Sequence, residues 1–301
     1  LKIALVRLSA LGDIVFSLEV AALLKQKHNN AHITWIVDKR FEEVVANSPF
    51  VDEIVSLTLK PLTLSNVASS VKKLKSLGHF DVVYDLQGLV KSGLVTSFLD
   101  SPKKIGFSYK SAREGLASLF YTDKVVSAYQ KNIMERYIDL LGFGDVANKP
   151  YLLGYSASSN LASQSKKNIL INMSASKPNK IYPWEKMQEV IAALGDANVM
   201  VLGGENATLT PMNIDEIKAL VASCDLVIGG DTGITHMAWA MNVPSVTIFG
   251  ATPAKRNACE TQINRLLYID ENVDAKKLDY DDFSISRISS ELVIATAKGL
   301  L

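Results

Sequence analysis

An aspartate, two threonines and a histidine crowd into one stretch, Val227-Ile-Gly-Gly-Asp-Thr-Gly-Ile-Thr-His-Met-Ala-Trp-Ala-Met241. A strand predicted over Cys224 to Ile228 breaks at two glycines, and Ile234, Met237, Ala238 and Met241 then recur at helical spacing. The junction is thus a strand turning into a helix. Asp231 or Thr232 is placed to cap that helix, while Gly229, Gly230 and Gly233 permit positive φ and close approach of a ligand. Exposed amides and the dipole of such a helix start favour a phosphate. The same features also suit a plain capped turn of an α/β sheet. His236, one turn in, can bond a phosphate or the preceding loop, and no second ligand at zinc spacing accompanies it.

Other chemistry-bearing residues follow apolar runs in the same way. Asp13, in the loop after a first strand, is either a general base or the N-cap of a helix starting at Ile14. Gln87 and Lys91, after Asp85, can face a sugar or phosphate; Lys103, Lys104, Lys110 and Arg113 add cations that are either a solvated face or a seat for an anionic acceptor. Ser174-Ala-Ser176-Lys-Pro-Asn-Lys180 precedes a helix led by Pro183, so Ser176 and Lys180 can cradle phosphate or simply line an exposed loop. Glu205, after Gly203-Gly204, is a candidate for a ribose diol. Asp279-Tyr-Asp281 has the D-x-D form of a metal site but sits in a polar stretch, and no metal is expected there. The chain has neither G-x-G-x-x-G at its first loop nor a Walker motif.

These residues need a scaffold that brings strand ends together. Apolar strands alternate with helical patterns throughout: strands at Ile3 to Val6, Ile33 to Val37, Glu53 to Leu57, Phe80 to Tyr84 and Lys104 to Phe107, with helices from Ile14, Phe41, Leu64, Leu89 and Asn132. A second series has strands at Asn168 to Asn172, Ala197 to Leu202 and Val246 to Phe249, and helices at Pro183 to Leu194, Ile214 to Ala222 and Ser289 to Leu300. Alternation of this kind predicts α/β domains with parallel sheets. A polar, small-residue stretch from Gly142 to Lys167 separates them, so the predicted domains are 1–155 and 156–301, ligands being expected at the carboxyl ends of the strands. The 301 residues are 48% hydrophobic with a net charge of +1, which gives no global field for nucleic acid. Cys224 and Cys259 form no disulfide framework, and a reducing cytoplasm is the expectation. No apolar run reaches the roughly 20 residues of a membrane span, and neither signal peptide nor anchor is read.

Taken together, Arg7-Leu-Ser-Ala-Leu-Gly-Asp-Ile, Asp85-Leu-Gln-Gly-Leu-Val-Lys-Ser, Ala112-Arg-Glu-Gly-Leu-Ala-Ser-Leu-Phe-Tyr, Lys180 before Pro183-Trp, Asp231-Thr-Gly-Ile-Thr-His and Phe249-Gly-Ala-Thr-Pro resemble the ADP-heptose lipopolysaccharide heptosyltransferases over nearly the whole chain. Within them the sequence is most similar to the enzymes that add the first heptose to Kdo-lipid A. The resemblance implies the GT-B architecture, two Rossmann-like domains facing a central cleft, the amino-terminal one binding acceptor and the other the nucleotide-sugar. The last helix is expected to pack back on the first domain. An inverting transfer without metal or cofactor is implied, with ADP-heptose as donor and Kdo-lipid A as acceptor, on the cytoplasmic face of the inner membrane by peripheral contact. Position by position, Asp13 matches the base and Lys180 the donor-phosphate lysine; Asp231, Thr232, Gly233 and His236 match the donor-binding segment, Ser176 falls where the family often has a threonine near the pyrophosphate, and Glu205 falls near the ribose-binding acid. Gln87, Lys91, Lys103, Lys104, Lys110 and Arg113 are the candidates for the anionic acceptor.

Overall fold

A computed structural model describes residues 1–144, 151–269 and 273–301 and divides the chain into two compact units, Leu1–Gly154 and Tyr155–Leu301. The division lies one residue from the expected boundary. Leu152 and Leu153 are wholly buried, and Ser48 donates to the carbonyl of Leu152, so these residues belong to the first core. Just beyond them the amides of Ser156 and Ala157 bond Asp215 of the second unit. The middle of the expected junction, residues 145–150, lies outside the described residues.

In the first unit the chain runs β1 (Lys2–Val6), α1 (Leu11–Lys27), β2 (His32–Asp38), α2 (Glu42–Val45), β3 (Glu53–Leu57), α3 (Leu64–Lys75), β4 (Val82–Asp85), α4 (Val90–Ser97), β5 (Lys104–Phe107), β6 (Asp123–Val125) and α5 (Ile133–Leu141). The strands form one parallel sheet in the order β3-β2-β1-β4-β5-β6. β1 is central and buried on both faces, as its unbroken apolar run requires. Every residue of α1 from Ile14 to Leu24 is buried, the signature of a helix covered on all sides. The opposite layer packs Leu74 and Val95 onto Val6, Val55 and Val83 of the sheet. Thr63 caps α3 by accepting from the amide of Asn66 at 3.2 Å, and α5 ends at Gly142 with φ +64°. A 3-10 turn, Gly115–Phe120, joins β5 to β6.

The second unit runs β7 (Asn168–Asn172), α6 (Trp184–Ala193), β8 (Asn198–Leu202), α7 (Ile214–Ala222), β9 (Leu226–Gly230), α8 (Gly233–Ala240), β10 (Ser245–Ile248), α9 (Ala254–Asn257), β11 (Asn264–Leu267) and α10 (Ser290–Lys298). Its sheet is again parallel, ordered β11-β10-β9-β7-β8. Asn213 and Glu216 cap α7 reciprocally. Val293 and Ala297 of α10 are fully buried in the second unit's own core, with Tyr182, Met187 and Val190.

Candidate functional site

Because β1 and β4 are neighbours, the loops that leave their carboxyl ends run side by side. Arg7, buried at the end of β1, joins them: its Nη1 donates to the carbonyl of Leu86 at 2.9 Å and its Nη2 pairs with Asp13 Oδ2 at 2.7 Å. Burial opposes the guanidinium charge, but Asp13 together with Tyr137 and Asp85 outweighs it and raises Arg7 above its ordinary range. Gln87 locks the same pair of loops, accepting from the amide of Leu8 at 2.9 Å and donating to Ser9 Oγ at 3.3 Å. Beneath it the wholly buried Asp85 accepts from the amides of Gln87 and Gly88 and from the Tyr121 hydroxyl at 2.7 Å, and burial pushes its carboxyl up against the pull of those bonds.

Asp13 is not an N-cap. The helix begins at Leu11, three residues earlier than expected, and Asp13 sits in its first turn. Its Oδ2 takes Arg7, with a long 3.5 Å contact from the Ala10 amide, while Oδ1 has no partner among the described residues. The side chain is half exposed at 50%. Behind it the Ser17 hydroxyl bonds the Asp13 carbonyl and the buried Tyr137 hydroxyl. A fixed, half-exposed carboxylate with one open oxygen suits a group that takes a proton from a bound hydroxyl.

The expected run of acceptor cations is split by the direction of the sheet. Lys110 and Arg113 follow β5 and are exposed at its carboxyl end. Lys103 and Lys104 precede the body of that strand, at the opposite edge from Asp13 and Gln87, and Lys104 Nζ is spent on the carbonyl of Ser97 at 3.0 Å. Those two residues are therefore removed from the group around Asp13. Lys91, in the first turn of α4, has its ammonium pulled down by burial, with Asp38 opposing and Arg40 and Lys60 reinforcing the shift. The Asp38–Arg40 pair, bidentate at 3.0 and 2.7 Å, is a charged neighbour that sequence reasoning missed; a charged run closing an apolar strand was its signal.

In the second unit β9 lies between β7 and β10, so their three carboxyl ends converge. Asp231, buried just past β9, receives Lys180 Nζ at 2.7 Å on Oδ2, Thr252 Oγ1 at 2.7 Å on the same oxygen, and His236 Nε2 at 3.0 Å on Oδ1. Burial alone raises this carboxyl; Lys180 and the bond from His236 outweigh it and hold Asp231 far below the ordinary carboxylate range. Thr232 is the N-cap residue of α8, but its hydroxyl accepts from Asn172 Nδ2 at 2.8 Å and does not bond the first turn. The amides of Gly233, Ile234 and Thr235 have no protein acceptor among the described residues. A lysine and a row of open amides at a helix start make a seat for a diphosphate.

The glycines play a different part from the one expected. Neither Gly229 nor Gly230 nor Gly233 has positive φ, and the first two belong to β9, paired with Thr247 and Ile248. A Cβ on Gly230 would collide with the carbonyl of Lys180, and one on Gly229 would lie 2.9 Å from the carbonyl of Asn172. They admit the protein's own backbone, so that the Lys180 turn can cross the strand end. Lys180, Asp231, Thr232, Gly233 and His236 are brought together. Ser176 is exposed in the same loop, and Glu205 is exposed beyond β8, two strands from β9. Gly203, with φ +77°, turns that loop tightly over Ser174. Thr252 and Asn172 were missed, and polar residues at the ends of β10 and β7 were the available signal. Among the described residues no three His, Cys, Asp or Glu side chains come together as a metal site.

The family described as Glycosyltransferase family 9 (heptosyltransferase) matches residues 67–210 and 205–279. The chain belongs to that family. It is 34% identical to the lipopolysaccharide heptosyltransferase 1 of Campylobacter coli, over 100% of this chain and 99% of that protein. Among solved structures it resembles the E. coli heptosyltransferase WaaC with ADP, with TM-score 0.80 and 20% identity over 100% of both chains. A family 9 glycosyl transferase from Veillonella parvula superposes with TM-score 0.81 and 19% identity, over 99% of this chain and 96% of that one. The two parallel α/β units are thus those of the GT-B glycosyltransferases, and this family 9 member is a glycosyltransferase.

Proposed function

We propose that this glycosyltransferase moves L-glycero-D-manno-heptose from ADP-heptose to Kdo-lipid A, inverting the anomeric centre and using no metal, as a step in building the lipopolysaccharide inner core. The observation that carries the reading is the full-length 34% identity to a lipopolysaccharide heptosyltransferase 1. The first unit is the acceptor domain and the second the donor domain. The open Oδ1 of Asp13 supports its role as base, taking the proton of the attacking hydroxyl as the glycosidic bond forms. Negative charge then grows on the departing ADP. Lys180 and the amides of Gly233, Ile234 and Thr235 are suited to receive it, and an inverting transfer requires no second carboxylate. Ser176 completes the diphosphate seat and Glu205 takes the ribose. Gln87, Lys91, Lys110 and Arg113 meet the acceptor. Among the described residues no helix is long and apolar enough to cross a membrane, and the lipid acceptor is met by peripheral contact at the cytoplasmic face of the inner membrane.

The test is turnover of ADP-heptose with Kdo-lipid A in the presence of a chelator, beside an acceptor that already carries one heptose. Transfer to Kdo-lipid A with release of ADP is expected. Transfer only to the heptosylated acceptor, or loss of activity with the chelator, refutes the assignment.

A further inference from the structure

The first unit carries a group of large apolar side chains on its surface that neither core explains. Leu116 and Leu119 lie three residues apart on the 3-10 turn and are exposed, Leu119 at 72%. That turn is packed on α4, where Gly93 leaves room for the ring of Phe120, and its start is tied to α4 by Glu114, which accepts the amide of Val90 at 2.7 Å. Val90 and Leu94, one turn apart on α4, are also exposed. Tyr109 leans on Gly115 at the head of the turn, where an added Cβ would lie 2.9 Å from its ring. Val126, 80% exposed, follows the β6 residue whose carbonyl bonds the amide of Ser108. These residues stand on a supported framework, and burying none of them has no folding rationale.

Cations are set among them. Lys91 follows Val90, Lys110 follows Tyr109, Arg113 precedes the 3-10 turn and Lys124 lies on β6, all exposed. Of the acidic residues in the same segments, Glu114 is committed to the Val90 amide and Asp123 to the Thr122 hydroxyl. Leucine, valine and tyrosine interspersed with lysine and arginine is the composition of a surface that lies in the headgroup layer of a bilayer. In a chain of net charge +1, this local excess is complementary to anionic lipid.

We infer that the face formed by α4, the 3-10 turn and the loop at Tyr109 seats on an anionic bilayer, holding the acceptor domain where a lipid acceptor lies; this deepens the proposed function and rests on its lipid acceptor. The full chain is sedimented with phosphatidylethanolamine–phosphatidylglycerol vesicles and with phosphatidylcholine vesicles. Binding is expected to the first and not the second, and the double variant Leu116→Ser, Leu119→Ser binds more than about tenfold more weakly. Tyr109→Ser with Val126→Ser is a second variant with the same expectation, in case the first fails to fold. Both retain wild-type transfer to an acyl-free Kdo acceptor and lose transfer to Kdo-lipid A in vesicles. Equal binding to both vesicle types, vesicle binding by the variants like wild type, or a self-association that the variants abolish in place of vesicle binding overturns the inference. Failure of the wild type to glycosylate even the acyl-free acceptor overturns the proposed function instead and leaves the vesicle result to be read alone.

Discussion

Replacing Asp231 by Asn probes the centre of the proposed donor site with little change of shape. An asparagine oxygen can still accept from Lys180 and Thr252, and its amide can meet a His236 ring nitrogen carrying no proton, so no buried atom need be orphaned. The charge is what disappears. Lys180 is 23% exposed and Asp231 5%, so the pair is neither fully buried nor freely screened. The loss of stability should fall at or just below the 3–5 kcal/mol typical of breaking a buried pair, at about 2–3 kcal/mol. The effect on ADP follows from order. With the carboxylate, Lys180 is held by two bonds, at 2.7 Å to the side chain and 3.3 Å to the Asp231 carbonyl, before any ligand arrives. Without it, binding must itself fix a lysine side chain, costing about 1.5–2 kcal/mol. ADP affinity should therefore weaken by about 10- to 30-fold. Urea unfolding gives the first quantity and titration calorimetry with ADP the second. Tighter ADP binding by Asp231→Asn would refute the reasoning, because it would mean that the carboxylate competes with the diphosphate for Lys180.

Asp13→Asn keeps the first turn of α1 and should leave ADP affinity unchanged while cutting transfer about 10²- to 10⁴-fold; unchanged turnover excludes Asp13 as the base. Gly230→Ala forces a methyl onto the Lys180 carbonyl and should cost about 1–3 kcal/mol in thermal unfolding, whereas Gly144→Ala, which meets open space, should be neutral; equal effects would deny the crowding argument. Asp231 also sets an acid limb. Its folded carboxyl is depressed, so its contribution is complete above the ordinary carboxylate range and is lost as pH falls below that range. A pH series of urea midpoints should show this limb in the wild type and a flatter one in Asp231→Asn.

Much of the scaffold was legible because a parallel sheet buries its strands on both faces. The predicted ranges of β5, β7 and α7 coincide with Lys104–Phe107, Asn168–Asn172 and Ile214–Ala222. β6 and β11 escaped: Asp123-Lys-Val and Asn264-Arg-Leu-Leu are short edge strands with one neighbour each, and they lack the apolar run that marks a central strand. Strand order was equally hidden. Lys103 and Lys104 are close to Lys110 in sequence, but one strand carries the chain from one edge of the sheet to the other between them. In the second unit, Lys180, Asp231 and His236 could be named from local pattern. Their partners Thr252 and Asn172 lie 21 and 60 residues from the groups they bond, a relation set by the order of β7, β9 and β10 and by no periodicity. The glycines of β9 were read for their freedom, when their use was the absence of a side chain facing another loop.

The bridge made by Arg7 reaches beyond a single side chain. One guanidinium spans the Leu86 carbonyl and the Asp13 carboxylate, and Gln87 fastens back onto Leu8 and Ser9. Two loops joined by bonds between residues 78 or 79 positions apart in the chain are thereby a single heritable unit. A substitution tolerated at one must be matched at the other, so change in the loop after β4 drags on the geometry of the carboxylate after β1. Family members that diverge at residue 87 should therefore diverge together at residues 7–9, and swapping either loop alone between relatives should impair the enzyme more than swapping both.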